Sequence, residues 1–242
     1  MNESQIEVST KYGRQPCFAV CPEAPGQYPA IILYMDAPGT REELRDQARR
    51  IAKHGYFCLL PDLYYRLGTV RFDIPRRNDA MSTVIRAAMK TLTNTGVMDD
   101  TGGMLAWLDA QDKVKPGPAG CVGHCMSGPF ALMAAATFPR MKAAAALYGV
   151  DMVTDADDSP HKHVHRVRGE VYIGFAEVDP SVPDHVKPAL KAALDKAGTK
   201  HELETIAGTH HGYCFAARAD YNPVAAEATW QKLLALWDRN LK

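Results

Sequence analysis

The chain has 242 residues, of which 46% are hydrophobic and 23% charged, the composition of a globular protein with a sizeable core. Basic and acidic residues number 28 each, and this zero formal charge argues against a nucleic-acid or anionic-membrane partner. No apolar run approaches the ~18 residues of a membrane span. The first ten residues do not resemble a signal peptide, so a cytoplasmic location is expected.

Strand and helix patterns alternate along the chain. Two short alternating segments, around Gln5–Ser9 and Pro16–Pro22, predict an antiparallel hairpin or edge strands. The predicted elements that follow are, in order, strand Ala30–Tyr34, helix Arg41–Lys53, strand Tyr56–Leu60, helices near Ala80–Leu92 and Asp99–Ala110, strand Ala119–Val122, a helix beginning near Met126, strands Ala143–Leu147 and Val171–Gly174, helix Val186–Ala197, strand His201–Ile206 and helix Pro223–Leu241. This alternation predicts a mostly parallel sheet with helices on both faces.

The chain shows no sign of division into parts. No internal repeat, low-complexity tract or linker interrupts the alternation, so one α/β domain is expected over residues 1–242. Residues 64–78 are the least regular stretch and are expected to form a surface loop near the functional site. The six cysteines are too sparse for a disulfide scaffold, and most are expected to be buried apolar side chains.

One cysteine lies in a distinctive local pattern. The segment Gly123–Gly128 (GHCMSG) lies between an apolar predicted strand and an alanine-rich predicted helix. The strand–nucleophile–helix turn of α/β-hydrolases needs small residues on either side of the nucleophile, and Gly123 and Ser127 are small. At a helix N-terminus the dipole favours a Cys125 thiolate, and the N–H of Met126 can face an oxyanion. The pattern predicts Cys125 as a nucleophile; the alternative is one more buried cysteine.

An acid and a base follow the cysteine in the order that α/β-hydrolases use, each after its own strand. Asp179 follows one predicted strand, and the pair His210 and His211 follows the next. The imidazole would exchange the proton of the thiol, and the carboxylate would orient the imidazole. Glu177 competes with Asp179 for the acid, and the residues alone do not choose between the two histidines.

The loop after the first buried strand is the expected place for a second oxyanion donor. It reads MDAPG over residues 35–39, and the N–H of Ala37 is the candidate. The carboxylate of Asp36 either influences the resting thiol or caps the following helix. Tyr148, at the end of another predicted strand, either lines the pocket or packs in the core.

Taken together, these segments resemble the dienelactone hydrolase family over nearly the whole chain. The matching motifs are AIILYMDAPG at 30–39, LPDLYYR at 60–66, GHCMSG at 123–128, DPSVP at 179–183 and HGY at 211–213. The resemblance implies the α/β-hydrolase fold and selects His211 over its neighbour. The roles it implies are a catalytic triad of Cys125, His211 and Asp179, an oxyanion hole of the Ala37 and Met126 N–H groups, and an acidic residue beside them at Asp36.

The chain departs from the family pattern at two positions, and the second bears on the substrate. Ser127 stands where the elbow usually has glycine. Family members that open dienelactone carry an arginine shortly after the catalytic histidine to hold the substrate carboxylate, and here Phe215 stands at that position. Arg218, Arg66 or Arg71 could take over this contact. The resemblance therefore implies cysteine-dependent hydrolysis of an ester or lactone more strongly than it implies dienelactone as the substrate.

A run of histidines suggests a metal site as a further hypothesis. His161, His163 and His165 would share one face if the segment were a strand. Acidic residues precede the run and arginines follow it, which favours a solvated connection. No metal and no cofactor are therefore expected.

The function expected from the sequence is that of an esterase or lactonase acting on a small-molecule ester or lactone through an acyl-thiol intermediate. The main alternative is a non-catalytic ligand-binding protein of the same fold. A redox thiol protein is less favoured, because the chain has no C-x-x-C motif and Cys121 lies on the preceding strand. The oligomeric state is not indicated.

Overall fold

An eight-stranded sheet runs through the computed structural model, which describes residues 1–242. The strands are β1 (Asn2–Thr10), β2 (Gly13–Cys21), β3 (Tyr28–Tyr34), β4 (Phe57–Pro61), β5 (Val114–His124), β6 (Met141–Leu147), β7 (Glu170–Val178) and β8 (Lys200–His210). Their order across the sheet is β1-β2-β4-β3-β5-β6-β7-β8. The first two strands form an antiparallel hairpin, β2 pairs antiparallel with β4, and all the remaining pairs are parallel.

The chain forms seven α-helices. They are α1 (Glu42–Lys53), α2 (Asp79–Met89), α3 (Asn94–Asp109), α4 (Gly128–Thr137), α5 (Pro160–His163), α6 (Val186–Ala197) and α7 (Pro223–Leu241). Of these, α1, α3, α4, α6 and α7 contact the sheet. On one face of the sheet, an Arg50–Glu227 ion pair of 2.7 Å joins α1 and α7. On the other face, α3 packs on α4. None of the helices combines the length and the apolar character that crossing a membrane requires.

The predicted α/β architecture is confirmed. Every strand and helix predicted from the sequence is present, and β8 extends beyond the predicted range to His210. The irregular stretch 64–78 contains two short 3-10 turns, at Tyr65–Leu67 and Ile74–Arg76. The histidine run is helical rather than extended, because it forms α5 and a 3-10 turn, Val164–Arg166.

The parallel strands bring the ends of several elements to one edge of the sheet. Four of the seven residues of β6 (MKAAAAL) are alanine, and these small side chains let α4 approach closely. Nine of the ten residues of α4 are buried, which accounts for its apolar character on all sides. Since the carboxyl ends of parallel strands meet at one edge, the segments after β3, β5, β6, β7 and β8 converge there.

Candidate active site

The turn after β5 holds Cys125 in a left-handed backbone conformation. Its φ is 54°, which is uncommon for a residue with a side chain. A 3-10 turn over Cys125–Ser127 leads directly into α4. A Cβ at Gly123 would lie 2.0 Å from the carbonyl oxygen of Ser127, so only glycine fits there. The predicted elbow is therefore present, with Cys125 buried at its apex.

Ser127, the departure from the usual elbow glycine, has a structural explanation. Its hydroxyl accepts the backbone N–H of His124 at 2.8 Å and lies 3.1 Å from the carbonyl oxygen of the same residue. The side chain is fully buried between β5 and α4. It ties the two ends of the turn together.

The acid and the base predicted from the sequence lie in direct contact. Nδ1 of His211 is 2.7 Å from Oδ2 of Asp179, and the carboxylate also accepts the N–H of Ser181 at 3.0 Å. The competing candidates lie elsewhere: Glu177 accepts the N–H of Gly208 at 2.8 Å, and His210 is exposed at the end of β8.

The protonation of His211 is set by its neighbours. Burial lowers the pKa of the imidazole, but the hydrogen bond to Asp179 and the interaction with the Cys125 thiol outweigh burial and raise it to about 9. An imidazole with this pKa is protonated at neutral pH. It can therefore pair with a thiolate and supply a proton.

A buried tyrosine links the two residues whose N–H groups were predicted to form the oxyanion hole. The hydroxyl of Tyr64 donates to the carbonyl oxygen of Ala37 at 2.8 Å and contacts Sδ of Met126 at 3.2 Å. All three residues are buried. Tyr64 lies in the LPDLYYR motif, but no local pattern in the sequence indicates this contact.

Asp36 is a buried carboxylate held by two arginines. Arg218 Nη2 lies 2.9 Å from Asp36 Oδ2, and the guanidinium of Arg41 contacts both carboxylate oxygens. Phe215 lies beneath both arginines, with its ring centroid 4.6 Å from Arg41 and 5.5 Å from Arg218. Asp36 therefore does not cap helix α1, whose N-cap has no side-chain hydrogen bond.

Tyr148 packs directly against the candidate base. Its ring centroid is 5.2 Å from that of His211 and 5.9 Å from that of His124. Like Cys125, Tyr148 has a positive φ, of 38°. Its buried hydroxyl has no hydrogen-bond partner, and neither has Nδ1 of His124. Burial lowers the pKa of His124 to about 4, so this imidazole is neutral near pH 7.

The remaining arginine candidates are not brought to these residues. Arg66 pairs with Asp100 at 2.6 Å and stacks 3.9 Å from the Tyr12 ring centroid, and none of its contacts involves the triad. Arg71 lines a cavity beside β2, which it shares with Arg41 but with none of the triad residues. Of the arginines considered from the sequence, only Arg218 lies at the site.

The histidine run does not form a metal site. His161 and His163 bond to Ser159 Oγ and to the carbonyl oxygen of Asp157, each at 2.8 Å, and His165 bonds to the carbonyl oxygen of Lys162 at 3.1 Å. These are local contacts within one connection. No group of three His, Cys, Asp or Glu side chains in residues 1–242 is arranged to hold a metal ion.

Comparison with known proteins gives consistent matches along the chain. The model of the family described as "Dienelactone hydrolase family" matches residues 16–241. A Synechocystis protein named "Putative carboxymethylenebutenolidase" is 28% identical, covering 91% of this chain and 90% of the relative. A Bradyrhizobium protein named "Probable 2-oxo-3-(5-oxofuran-2-ylidene)propanoate lactonase" is 23% identical, covering 95% and 91%.

Solved structures share the fold. The crystal structure of "Putative Dienelactone Hydrolase" from Klebsiella pneumoniae has a TM-score of 0.88 at 24% identity and covers 98% of each chain. Dienelactone hydrolase from Anabaena variabilis has a TM-score of 0.71 at 17% identity, covering 100% of this chain and 99% of its own. At these identities the similarity supports the fold alone.

The two arginines on Asp36 predict a coupled effect on stability. In Arg41→Met or Arg218→Met the other guanidinium still pairs with the carboxylate, so each variant should lower the free energy of unfolding by about 1–2 kcal/mol. The double variant leaves a buried, unpaired charge and should lose at least about 1 kcal/mol more than the sum. Urea unfolding measures this, with Arg76→Met, at a position whose side chain is 86% exposed, as the control. If the loss of unfolding free energy in the double variant equals the sum of the losses in the two single variants, the shared ion pair is contradicted.

Proposed function

The chain belongs to the dienelactone hydrolase family, and we propose that it hydrolyses a small-molecule ester or lactone through an acyl-thiol intermediate on Cys125. The observation that carries this proposal is that His211 contacts Asp179 and also interacts with the thiol of Cys125, at one edge of the sheet. The names of two relatives, a carboxymethylenebutenolidase and a lactonase, support a lactone or ester as the substrate class.

In the first half of the reaction Cys125 becomes acylated. Its thiolate attacks the carbonyl carbon, and the N–H groups of Ala37 and Met126 hold the negative charge that develops on the carbonyl oxygen. The C–O bond then breaks, and His211 donates its proton to the departing alkoxide oxygen. The products are a free alcohol, or the opened end of a lactone, and a thioester on Cys125.

In the second half water releases the acid. Neutral His211 takes a proton from water, which attacks the thioester carbonyl, and the C–S bond breaks to restore the thiolate. Asp179 holds the ring of His211 in the same orientation for both proton transfers. Activated esters, enol lactones and thioesters suit this cycle better than amides, because a thiolate leaves more readily than an amine.

Arg218 is the candidate for contacting a carboxylate on the substrate. It lies beside Asp36, and its Nε is buried without a hydrogen-bond partner. A donor of this kind could be satisfied by a bound anion. The position that carries arginine in dienelactone-opening relatives is Phe215 here, so any carboxylate contact would come from a different part of the loop.

Replacing the nucleophile tests the proposed function directly. Cys125→Ala should lower kcat/KM for a short-chain p-nitrophenyl ester at least about a thousandfold, because no other thiol lies at the elbow. Cys21→Ala, which removes a buried cysteine from the hairpin, is the control and should keep its activity. A folded Cys125→Ala protein with wild-type turnover would exclude the mechanism. Wild type without turnover of esters, thioesters and lactones would favour a ligand-binding member of the fold.

The raised pKa of His211 predicts the upper limit of the pH profile. The acid form of the imidazole persists until the pH rises through about 9, so kcat/KM for ester cleavage should fall above this pH. In Asp179→Asn the fall should begin at lower pH, because the charge that raises the pKa is gone. His210→Gln is the matched control. An identical upper limit in wild type and Asp179→Asn would contradict this role of Asp179.

The contacts of Tyr64 predict a positioning role that can be separated from general packing. Tyr64→Phe should lower kcat/KM for ester cleavage about tenfold or more, because the loop of Ala37 loses its anchor. Alkylation of Cys125 by iodoacetamide forms no oxyanion and should keep its rate. Tyr65→Phe is the control, since that hydroxyl bonds Thr10 and Asp100 instead. Equal losses in both reactions would indicate a structural role only.

A further inference from the structure

A cavity of about 410 Å³ lies beside the elbow and is not used by the mechanism above. Its apolar wall consists of side chains from the end of α2, from the elbow and α4, and from the loop after β6. These residues are Met89, Leu92, Met126, Pro129, Phe130 and Val150. The cavity is thus built where three separate segments of the fold meet.

Two residues of the wall contact the backbone of the nucleophile, one through a peptide bond and one through a hydrogen bond. Met126 follows Cys125 in the chain, and the N–H of Val150 donates to the carbonyl oxygen of Cys125 at 3.1 Å. The cavity therefore lies next to the turn that holds Cys125, with Met126 between the nucleophile and the rest of the wall. A group bonded to the reacting carbonyl could extend into it while the carbonyl oxygen stays at the N–H of Met126.

The shape of this wall is held by tight backbone contacts. A Cβ at Gly128 would lie 2.5 Å from the Cα of Gly149, so the loop after β6 rests directly on the start of α4. Asp151, in the same loop, has a positive φ of 52°. Such strained positions persist only where the surroundings hold them, so the backbone of this loop is held in place beside α4.

The charges around the cavity cancel. Arg86 and Lys90 stand on one side, and Asp151 and Asp158 belong to the segment that follows β6. None of these four side chains takes part in an ion pair within the protein. Two positive and two negative charges give no net preference for an anion or a cation. The apolar wall is then the feature that selects a ligand.

We propose that this cavity binds a neutral, apolar group of the substrate, on one side of the bond that is cleaved. The proposal rests on the proposed function and names the substrate class: esters or lactones that carry an aromatic ring or a branched aliphatic chain. Roughly 150 Å³ holds a benzene molecule in an apolar protein cavity, so the volume here accommodates a substituted ring. Arg218 and Asp36 supply the polar surroundings of the same nucleophile, and the cavity supplies the apolar ones.

The test compares large and small substrates in a variant that narrows the cavity. Wild type is given two series of esters, one based on p-nitrophenyl benzoate, with the apolar group on the acyl side, and one based on phenyl acetate, with it on the alcohol side. In one of the two series kcat/KM should rise with the size of the apolar group. Leu92→Trp should lower the ratio of kcat/KM for the large ester to that for p-nitrophenyl acetate at least about tenfold. Leu67→Trp adds the same side chain at an exposed position outside the cavity and should keep the ratio. Leu92→Phe is the milder substitution if the first variant does not fold.

A binding measurement separates this inference from the proposed function. Acetophenone, a neutral apolar ketone, should bind the Cys125→Ala protein, and Leu92→Trp in that background should weaken binding at least about tenfold. One contrary outcome is turnover that depends on Cys125 while kcat/KM does not change with the size of the ester or in Leu92→Trp. It would refute substrate binding in the cavity and leave the proposed hydrolase function standing. The other contrary outcome is a protein without any turnover that binds acetophenone more weakly in Leu92→Trp. It would refute the proposed hydrolase function and support the cavity as a site for an apolar ligand.

Discussion

The close approach of helix α4 to the end of strand β5 is the constraint on which the site depends. A side chain at Gly123 would overlap the carbonyl of Ser127, and one at Gly128 would overlap the backbone of Gly149. With the helix this close, the turn between the two elements has room only for a left-handed residue at Cys125. The same packing fixes the loop after β6, which carries Tyr148 and one wall of the apolar cavity.

The two histidines beside Cys125 show how neighbours decide the chemistry of a buried group. His124 is fully buried and its Nδ1 has no hydrogen-bond partner, and burial lowers its pKa to about 4. His211 is also largely buried, but Asp179 and the thiol raise its pKa to about 9. Near neutral pH the ring of His124 is a neutral imidazole that packs against its neighbours, whereas the ring of His211 is a positively charged imidazolium. Only His211 can serve as an acid at this pH.

Much of the fold could be predicted from the sequence because its signals are local. Apolar runs and helical spacing identified the eight strands and all the helices except α5, and the order of Cys125, Asp179 and His211 after β5, β7 and β8 predicted that they would meet. The residues alone left Glu177 as a competitor of Asp179, and the family resemblance favoured Asp179. In the structure Asp179 contacts His211, whereas Glu177 lies within β7 and accepts the N–H of Gly208.

Features made by residues distant in the chain could not be predicted in this way. The pairing of Asp36 with Arg218 joins residues 182 positions apart, and nothing near either residue indicates the other. The contact of Tyr64 with Met126 and the cavity beside α2 likewise exist only after the sheet has assembled. The extension of β8 to His210 was missed because Gly208 interrupts the apolar pattern.

Rapid-quench mass spectrometry can detect the acyl group that is proposed to form on Cys125 during catalysis. Wild type is mixed with a p-nitrophenyl ester, quenched in acid within milliseconds and digested to peptides. The account predicts that the peptide containing Cys125 gains the mass of one acyl group, at a rate that matches the first release of p-nitrophenol. Release of p-nitrophenol with no acyl group on that peptide at any time would contradict the account.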